Sequence, residues 1–171
     1  MDFYELLRKR FSVRKYSDRP VEPEKLDRIL KTLPTAPTAK NRQPQRVYVL
    51  QSEEALAELD TLTPCRYGAP VVLLFAYDED EEWIHPTEEG VRSGIEDASI
   101  AATYVMLAAA EEGLDSVWCN FFPNKRLEET LGLPANERSV VLMPIGYRSD
   151  GVKPSPMHEA TRPLEEMVRI L

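Results

Sequence analysis

The chain has 171 residues, a length suited to one domain spanning 1–171. Its 43% hydrophobic and 29% charged residues support a core without disulfides or a structural metal. A formal net charge of −8, from 29 acidic against 21 basic residues, argues against a general nucleic-acid binder, whose affinity rests on Lys and Arg neutralising phosphates.

Phe3, Leu6 and Leu7 mark one face of a first helix, with Asp2 and Glu5 spaced as a capping box. It ends near Arg10, and a basic connector follows through Tyr16. A second helix starts at Pro23, carries the stripe Leu26, Ile29, Leu30 and Leu33, and stops at Pro34. Residues 34–44 then form a proline-punctuated loop, and Arg46–Leu50 a strand. Ser52 caps a third helix whose Ala55, Leu56 and Leu59 face inward. The apolar run Val71–Phe75 suits a strand covered on both faces, and residues 78–90 read as an acidic, exposed excursion.

Ser93–Glu112 reads as the central helix, apolar nearly all round from Ala98 to Ala110, with Ser93 and Glu96 as a capping box and Gly113 as terminator. Strands are expected at Ser116–Cys119 and Val140–Ile145, with a helix at Lys125–Leu131 between them. The tail from Arg148, broken by Pro154, Pro156 and Pro163, holds at most one short helix, Leu164–Val168. It is expected to lie along another surface, such as a second subunit. Helices and strands without strict alternation indicate an α+β fold.

Familiar chemistry is missing from the sequence. There is no phosphate loop, no dinucleotide fingerprint, no nucleophile elbow and no H-E-x-x-H, so no metal site is expected. His85 and His158 read as exposed surface residues, Trp118 as a packing residue, and Cys65 and Cys119 as reduced thiols. With no signal-peptide stretch and no membrane-spanning apolar run, the expected compartment is the cytoplasm. An enzyme of this composition would take its reactivity from a bound cofactor.

Composition alone favours a solvated helix end for Arg8, Lys9, Arg10, Arg14 and Lys15. A sharper reading starts from the extended geometry of the connector. Alternate residues point the same way, so Arg10, Ser12 and Arg14 can converge on one anion.

The segment R-F-S-V-R-K-Y at 10–16, followed by A-P-T-A-K-N-R-Q-P at 36–44, resembles the nitroreductase family. The likeness continues through A-P-V-V-L-L-F at 69–75, the alanine-rich helix ending E-G-L-D-S at 112–116, P-I-G-Y at 144–147 and R-P-L-E-E at 162–166. The resemblance implies a three-layer α-β-α sandwich around a mixed, mainly antiparallel sheet, with an extended C-terminal tail. It further implies a homodimer with FMN at the interface. Arg10, Phe11 and Ser12 would meet the phosphoribityl end, and Arg14 the pyrimidine edge of the ring in an electrostatic role.

Pro37, Thr38, Ala39 and Asn41 would form a loop lent to the partner's flavin, which Gln43 braces or extends to the cofactor. Asn120 and Phe121 would bring backbone near the reactive edge, and Arg162 would bind phosphate. The flavin would carry the chemistry, with no catalytic side chain required. Hydride would pass from NADH or NADPH to a nitroaromatic, quinone or similar small acceptor, without nucleic-acid or membrane partners. The alternatives are a specialised oxidase or dehalogenase on the same scaffold and a non-catalytic flavin store. Gln45 stands where many relatives have an aromatic residue, and Ala160 where many have a basic one.

Overall fold

Strand β2, Val71–Asp78, divides the molecule, because its successive side chains point to opposite faces. Residues 71–76 are all buried, as a strand covered on both sides requires. The computed structural model describes residues 2–171. Around β2 the sheet runs in the order β1-β2-β4-β3, with β1 at Gln45–Leu50, β4 at Glu137–Gly146 and the two-residue β3 at Asp115–Ser116. All three strand pairs are antiparallel, and the register of β2 against β4 shifts between Phe75 and Ala76. The mixed character expected of the sheet is confined to one isolated parallel bridge, Ser12 with Ser116.

Leu73, Phe75, Val141, Met143 and Ile145 face two helices, α2 (Pro23–Leu30) and α4 (Gly94–Glu111), which bury Leu26, Ile29, Ala102, Val105 and Ala109 against them. Val72, Leu74 and Leu142 face α3 (Glu53–Leu62) and α5 (Asn124–Leu131), which contribute Leu59 and Leu127. Each fully buried Leu or Phe stabilises the fold by about 1.5–3 kcal/mol. The result is the three-layer α-β-α sandwich.

A third, smaller cluster of Phe11, Val13, Tyr16 and Ala69 fixes the N-terminal segment beside β3. The Val13 N–H donates to Ser116 O (3.2 Å) and the Tyr16 hydroxyl to Pro144 O (3.2 Å). Burial raises the Tyr16 phenol well above its ordinary pKa. Close approach here needs Gly146, since a Cβ on it would stand 2.8 Å from Pro70 Cδ and 3.2 Å from the Tyr16 ring.

Past β3 the outer border of β4 is dressed by side chains. Asn124 Nδ2 donates to Ser139 O (2.8 Å), and Glu128 Oε1 accepts from Ser139 N–H (2.7 Å). Asn120 Nδ2 donates to Val140 O (2.8 Å).

Several local expectations need correction. In the first helix, α1 (Phe3–Lys9), Asp2 caps as expected, but Glu5 pairs with Lys9 and only Leu6 is buried, leaving Phe3 and Leu7 exposed. The Ser93–Glu96 capping box does not form, because the Ser93 hydroxyl serves Trp83 and Asp97. The strand expected at Ser116–Cys119 breaks after Ser116 and returns only as a bridge between Cys119 and Leu142. Within the acidic excursion Glu82 is buried, pairing with Arg92 and accepting the Gly94 N–H. Both histidines are half-buried. The tail holds the one-turn helix α6, Leu164–Met167, and every residue from 159 to 171 is exposed. No helix among the described residues is long and apolar enough to cross a membrane.

Candidate functional site

Burial alternates along the basic connector. Phe11 and Val13 point into the protein, while Ser12 and Arg14 point out. Ser12 and Arg14 line a hollow of about 180 Å³ together with Phe11, Ser155, Met157 and His158. Arg10 lines a neighbouring hollow of about 180 Å³ with Lys9, Ser116, Arg148 and the Asp115 carboxylate that Arg148 neutralises, and Phe11 forms a wall of both. The convergence expected of Arg10, Ser12 and Arg14 is thus spread over two adjoining hollows.

Arg10 and Arg14 differ from the arginines that the fold commits to carboxylates. Arg148 is forked onto Asp115 (2.6 and 2.9 Å) and lies over the Phe11 ring. Arg28 is forked onto Glu112 and Arg66 onto Asp60. Arg10, by contrast, is half-buried and its guanidinium makes no hydrogen bond or ion pair with another described residue. Burial pushes it below its ordinary pKa with no carboxylate opposing the effect. The side chains of Ser12 and Arg14 also bond to no other described residue.

His158 borders the hollow with its ring edge-on to Phe11. Its Nε2 lies 3.1 Å from Arg8 O, and a carbonyl only accepts, so Nε2 carries the hydrogen.

The loop Pro37–Gln43 lies elsewhere. Pro44 O accepts from Asp78 N–H (2.9 Å), which puts the loop beside the C-terminal end of β2. The basic connector sits at the other end, where Val71 pairs with Ile145 and Ser116 meets Ser12. At about 3.3 Å per strand residue the two regions are roughly 20 Å apart. The loop is tightly turned: Lys40, Asn41 and Gln43 have φ of 54°, 54° and 52°, a left-handed region that non-glycine residues rarely enter. Thr38 holds it from within, its hydroxyl accepting from Gln43 N–H (3.1 Å) and its carbonyl from Asn41 N–H (3.0 Å).

Between these ends lies the segment after β3. The Asn120 side chain is committed to the scaffold, accepting from Trp118 Nε1 (2.6 Å) as well as donating to Val140. Phe121 O accepts from the Thr63 hydroxyl (2.6 Å) and Cys65 Sγ (3.6 Å), while the Phe121 ring is 76% exposed. The Asn120 side chain and the Phe121 carbonyl are thus spent on the scaffold, and what Phe121 presents outward is its ring.

A larger hollow, about 760 Å³, follows the dressed border of β4 and takes in Asn120, Glu79, Glu128, Glu137, Lys125 and Arg138. Its carboxylates make it unsuited to an anion, so its size does not make it the site. Arg162 lies on the exposed tail and lines neither of the small hollows. Four contributors were not assigned to the site from sequence: Asp97 and Thr63, Ser93, which was read only as a helix cap, and His158, which was read as a surface residue. Asp97 carried a readable signal, a carboxylate in the i, i+4 row with Ala101 and Val105, both buried.

Residues 7–65 and 64–147 match the Nitroreductase family model. The chain belongs to the nitroreductase family. A nitroreductase-family protein from Clostridium difficile 630 is 38% identical, with a TM-score of 0.92, and the match covers 99% of this chain and 98% of that one. A Thermus thermophilus protein named NADH dehydrogenase is 31% identical over 191 residues, covering 94% of this chain and 91% of its own. A protein of Exiguobacterium sibiricum solved in complex with FMN has a TM-score of 0.83 at 22% identity, covering 100% of this chain and 98% of that one. At that identity the likeness is one of fold. The nitroreductase fold therefore accounts for the layer order found here, helices on both faces of a four-stranded sheet.

Proposed function

We propose that this nitroreductase-family chain is an FMN-dependent oxidoreductase, a single domain that works as a homodimer with FMN between its subunits. The observation that carries the reading is Arg10, a half-buried cation with no acceptor among the described residues, standing next to Ser12 and Arg14, whose side chains are uncommitted among them. A cation removed from water needs an anion, and a guanidinium fork with a hydroxyl matches phosphate oxygens. The residues present fit FMN on that ground.

Arg10 and Ser12, flanked by Phe11, would hold the phosphoribityl end, and Arg162 from the tail would add a second cation to the phosphate. Arg14 would set a positive charge at the pyrimidine edge of the ring. The Asn120–Phe121 backbone, held by Val140 and Thr63, would lie against the reactive edge. Bound there, FMN would supply two-electron chemistry, taking hydride from NADH or NADPH and reducing a nitroaromatic, quinone or similar small acceptor.

Distance supports the homodimer. Pro37, Thr38, Ala39, Asn41 and Gln43 sit at the wrong end of their own sheet to meet the arginines, so they would reach the flavin of the other copy. Apolar surface favours the same arrangement. Ile95 and Tyr104 on α4, Phe3 on α1, and Met157, Leu164, Ile170 and Leu171 on the tail are all exposed in the single chain. Two buried free thiols suit the reducing cytoplasm.

The test is the visible spectrum of the purified protein incubated with FMN and separated from free ligand, followed by anaerobic NADH or NADPH. A yellow dimer that bleaches is the expected result. Colourless protein, or a flavin-loaded monomer, overturns the reading. A yellow dimer that neither nicotinamide bleaches shifts it to a specialised oxidase, a dehalogenase or a flavin store on this scaffold.

A further inference from the structure

Asp97 is a carboxylate on a stripe otherwise built from Ala101 and Val105, and only 2% of its surface is exposed. Its Oδ1 accepts from the Ala39 N–H at 2.9 Å, and its Oδ2 from the Ser93 hydroxyl at 2.7 Å. Ser93 Oγ in turn accepts from Trp83 N–H at 3.1 Å. The carboxylate lies in the first turn of α4, where the helix dipole favours negative charge. No cation pairs with it among the described residues. Its outward bond therefore runs to one backbone group of the strained loop.

Ala39 opens the turn that sends Lys40, Asn41 and Gln43 into the left-handed region. Such a conformation lasts only where the surroundings over-determine it. The other ties of the loop lie within it or at the surface: among them Thr38 with Asn41 and Gln43, Arg42 Nε with Glu81 O (3.0 Å), and Arg46 with Gln43 O (3.3 Å). Asp97 is its buried anchor.

We infer that Asp97 is a positioning residue that shapes Thr38–Gln43 for the flavin bound by the other subunit, an inference that rests on the FMN reading above. Asp97 touches no cofactor. It acts through the Ala39 N–H, so its effect appears in the site to which its own subunit lends the loop, not in the site built around its own arginines.

The test uses the full-length FMN-loaded protein. Asp97→Ala is expected to weaken FMN binding by about tenfold or more, the scale of one hydrogen bond to a charged acceptor. Asp97→Asn keeps an oxygen for the Ala39 N–H and is expected to restore most of the affinity. The decisive arm is a mixed dimer of one Asp97→Ala subunit and one Arg14→Ala subunit. Because the loop serves the opposite site, one site carries both lesions and the other neither. The mixed dimer is expected to bind one FMN with wild-type affinity, although neither parent homodimer does. A general loss of structure in Asp97→Ala would leave the mixed dimer without such a site.

Wild-type FMN affinity in Asp97→Ala, or a mixed dimer lacking the restored site, overturns the inference. Should Asp97→Ala fail to fold, Ala39→Pro takes its place in both arms. Proline suits the first position of a helical turn after the extended Thr38, but it deletes the donor and its ring occupies the place of the carboxylate oxygen. A wild-type protein that binds no FMN overturns the flavin reading itself, an outcome distinct from wild-type binding with an unaffected Asp97→Ala.

Discussion

Arg10→Met separates stability from binding. In the FMN-free protein the Arg10 guanidinium is half-buried without an acceptor among the described residues, so its desolvation is uncompensated there. Methionine keeps an unbranched apolar stem in the hollow and removes that charge. The unfolding midpoint of the FMN-free variant is therefore expected to equal or exceed that of the wild type, as at other sites where function opposes stability.

Binding moves the other way. One charge-assisted contact to phosphate contributes about 1.5–3 kcal/mol, so its loss raises Kd by roughly 10- to 150-fold. At FMN about 100 times the wild-type Kd, ligand stabilises the wild type by about 2.7 kcal/mol. For a chain of this length that lifts the midpoint by about 5–11 °C. With Kd raised about 30-fold, the same FMN concentration stabilises the variant by about 0.9 kcal/mol, or about 2–4 °C. Thermal unfolding with and without FMN reads both quantities. A variant with the full wild-type FMN shift, or with an FMN-free midpoint several degrees lower, refutes the account of Arg10 as an anion-seeking cation.

Gly94→Ala pits helix propensity against space. Alanine gains about 1 kcal/mol in a helix, but its Cβ would stand 2.1 Å from Tyr77 Cδ2 and 2.7 Å from Glu82 Oε2. With contacts this short, overpacking at the upper end, about 2–3 kcal/mol, wins by about 1–2 kcal/mol, and the midpoint is expected to fall by about 2–8 °C; a stabilised variant would contradict this. Glu22 accepts from the Tyr147 hydroxyl (2.6 Å) and from Arg19 (2.7 Å), which lowers its carboxyl from 4.5 to about 2. A depressed pKa contributes stability that is complete above the ordinary value and lost as pH falls through about 2. Urea unfolding across pH should show the wild-type advantage over Glu22→Gln full near neutrality and shrinking between about 4.5 and about 2; a gap constant with pH speaks against the assignment. Burial pushes the Cys119 thiol up to about 12, and Cys65 is buried beside it. Iodoacetamide is expected to leave both unmodified in native protein and to label both after unfolding, as read by mass spectrometry.

Much of the fold is visible in periodicity. The run 71–76 and the alanines of α4 announce burial on both faces of a strand and against a sheet, and the structure agrees. What local pattern hides is competition for polar groups. Ser93 and Glu96 have capping-box spacing, yet the Ser93 hydroxyl is claimed by Trp83, ten residues earlier, and by Asp97. The expected Ser116–Cys119 strand is broken opposite Pro144, which has no N–H to donate and whose carbonyl is taken by the Tyr16 hydroxyl, a competition no propensity records. Of the candidate site, the side chains of the basic connector were legible because alternation alone separates Ser12 and Arg14 from Phe11 and Val13. The divergence of Arg10 was not, because it depends on where α1 ends against the sheet. The left-handed backbone at Lys40 and Gln43 carries no glycine to advertise it, and its anchor lies 58 positions from Ala39.

The amides and carboxylate that cover the outer border of β4 also govern how the protein behaves in a crowd. A naked strand edge invites a neighbour's backbone and seeds fibrous growth. Here the Ser139 amide and the Ser139 and Val140 carbonyls are already satisfied by Glu128, Asn124 and Asn120, so an incoming strand finds these three groups taken. Residues that look merely polar on a short helix thus act as gatekeepers against self-templated aggregation, a service no turnover assay would register.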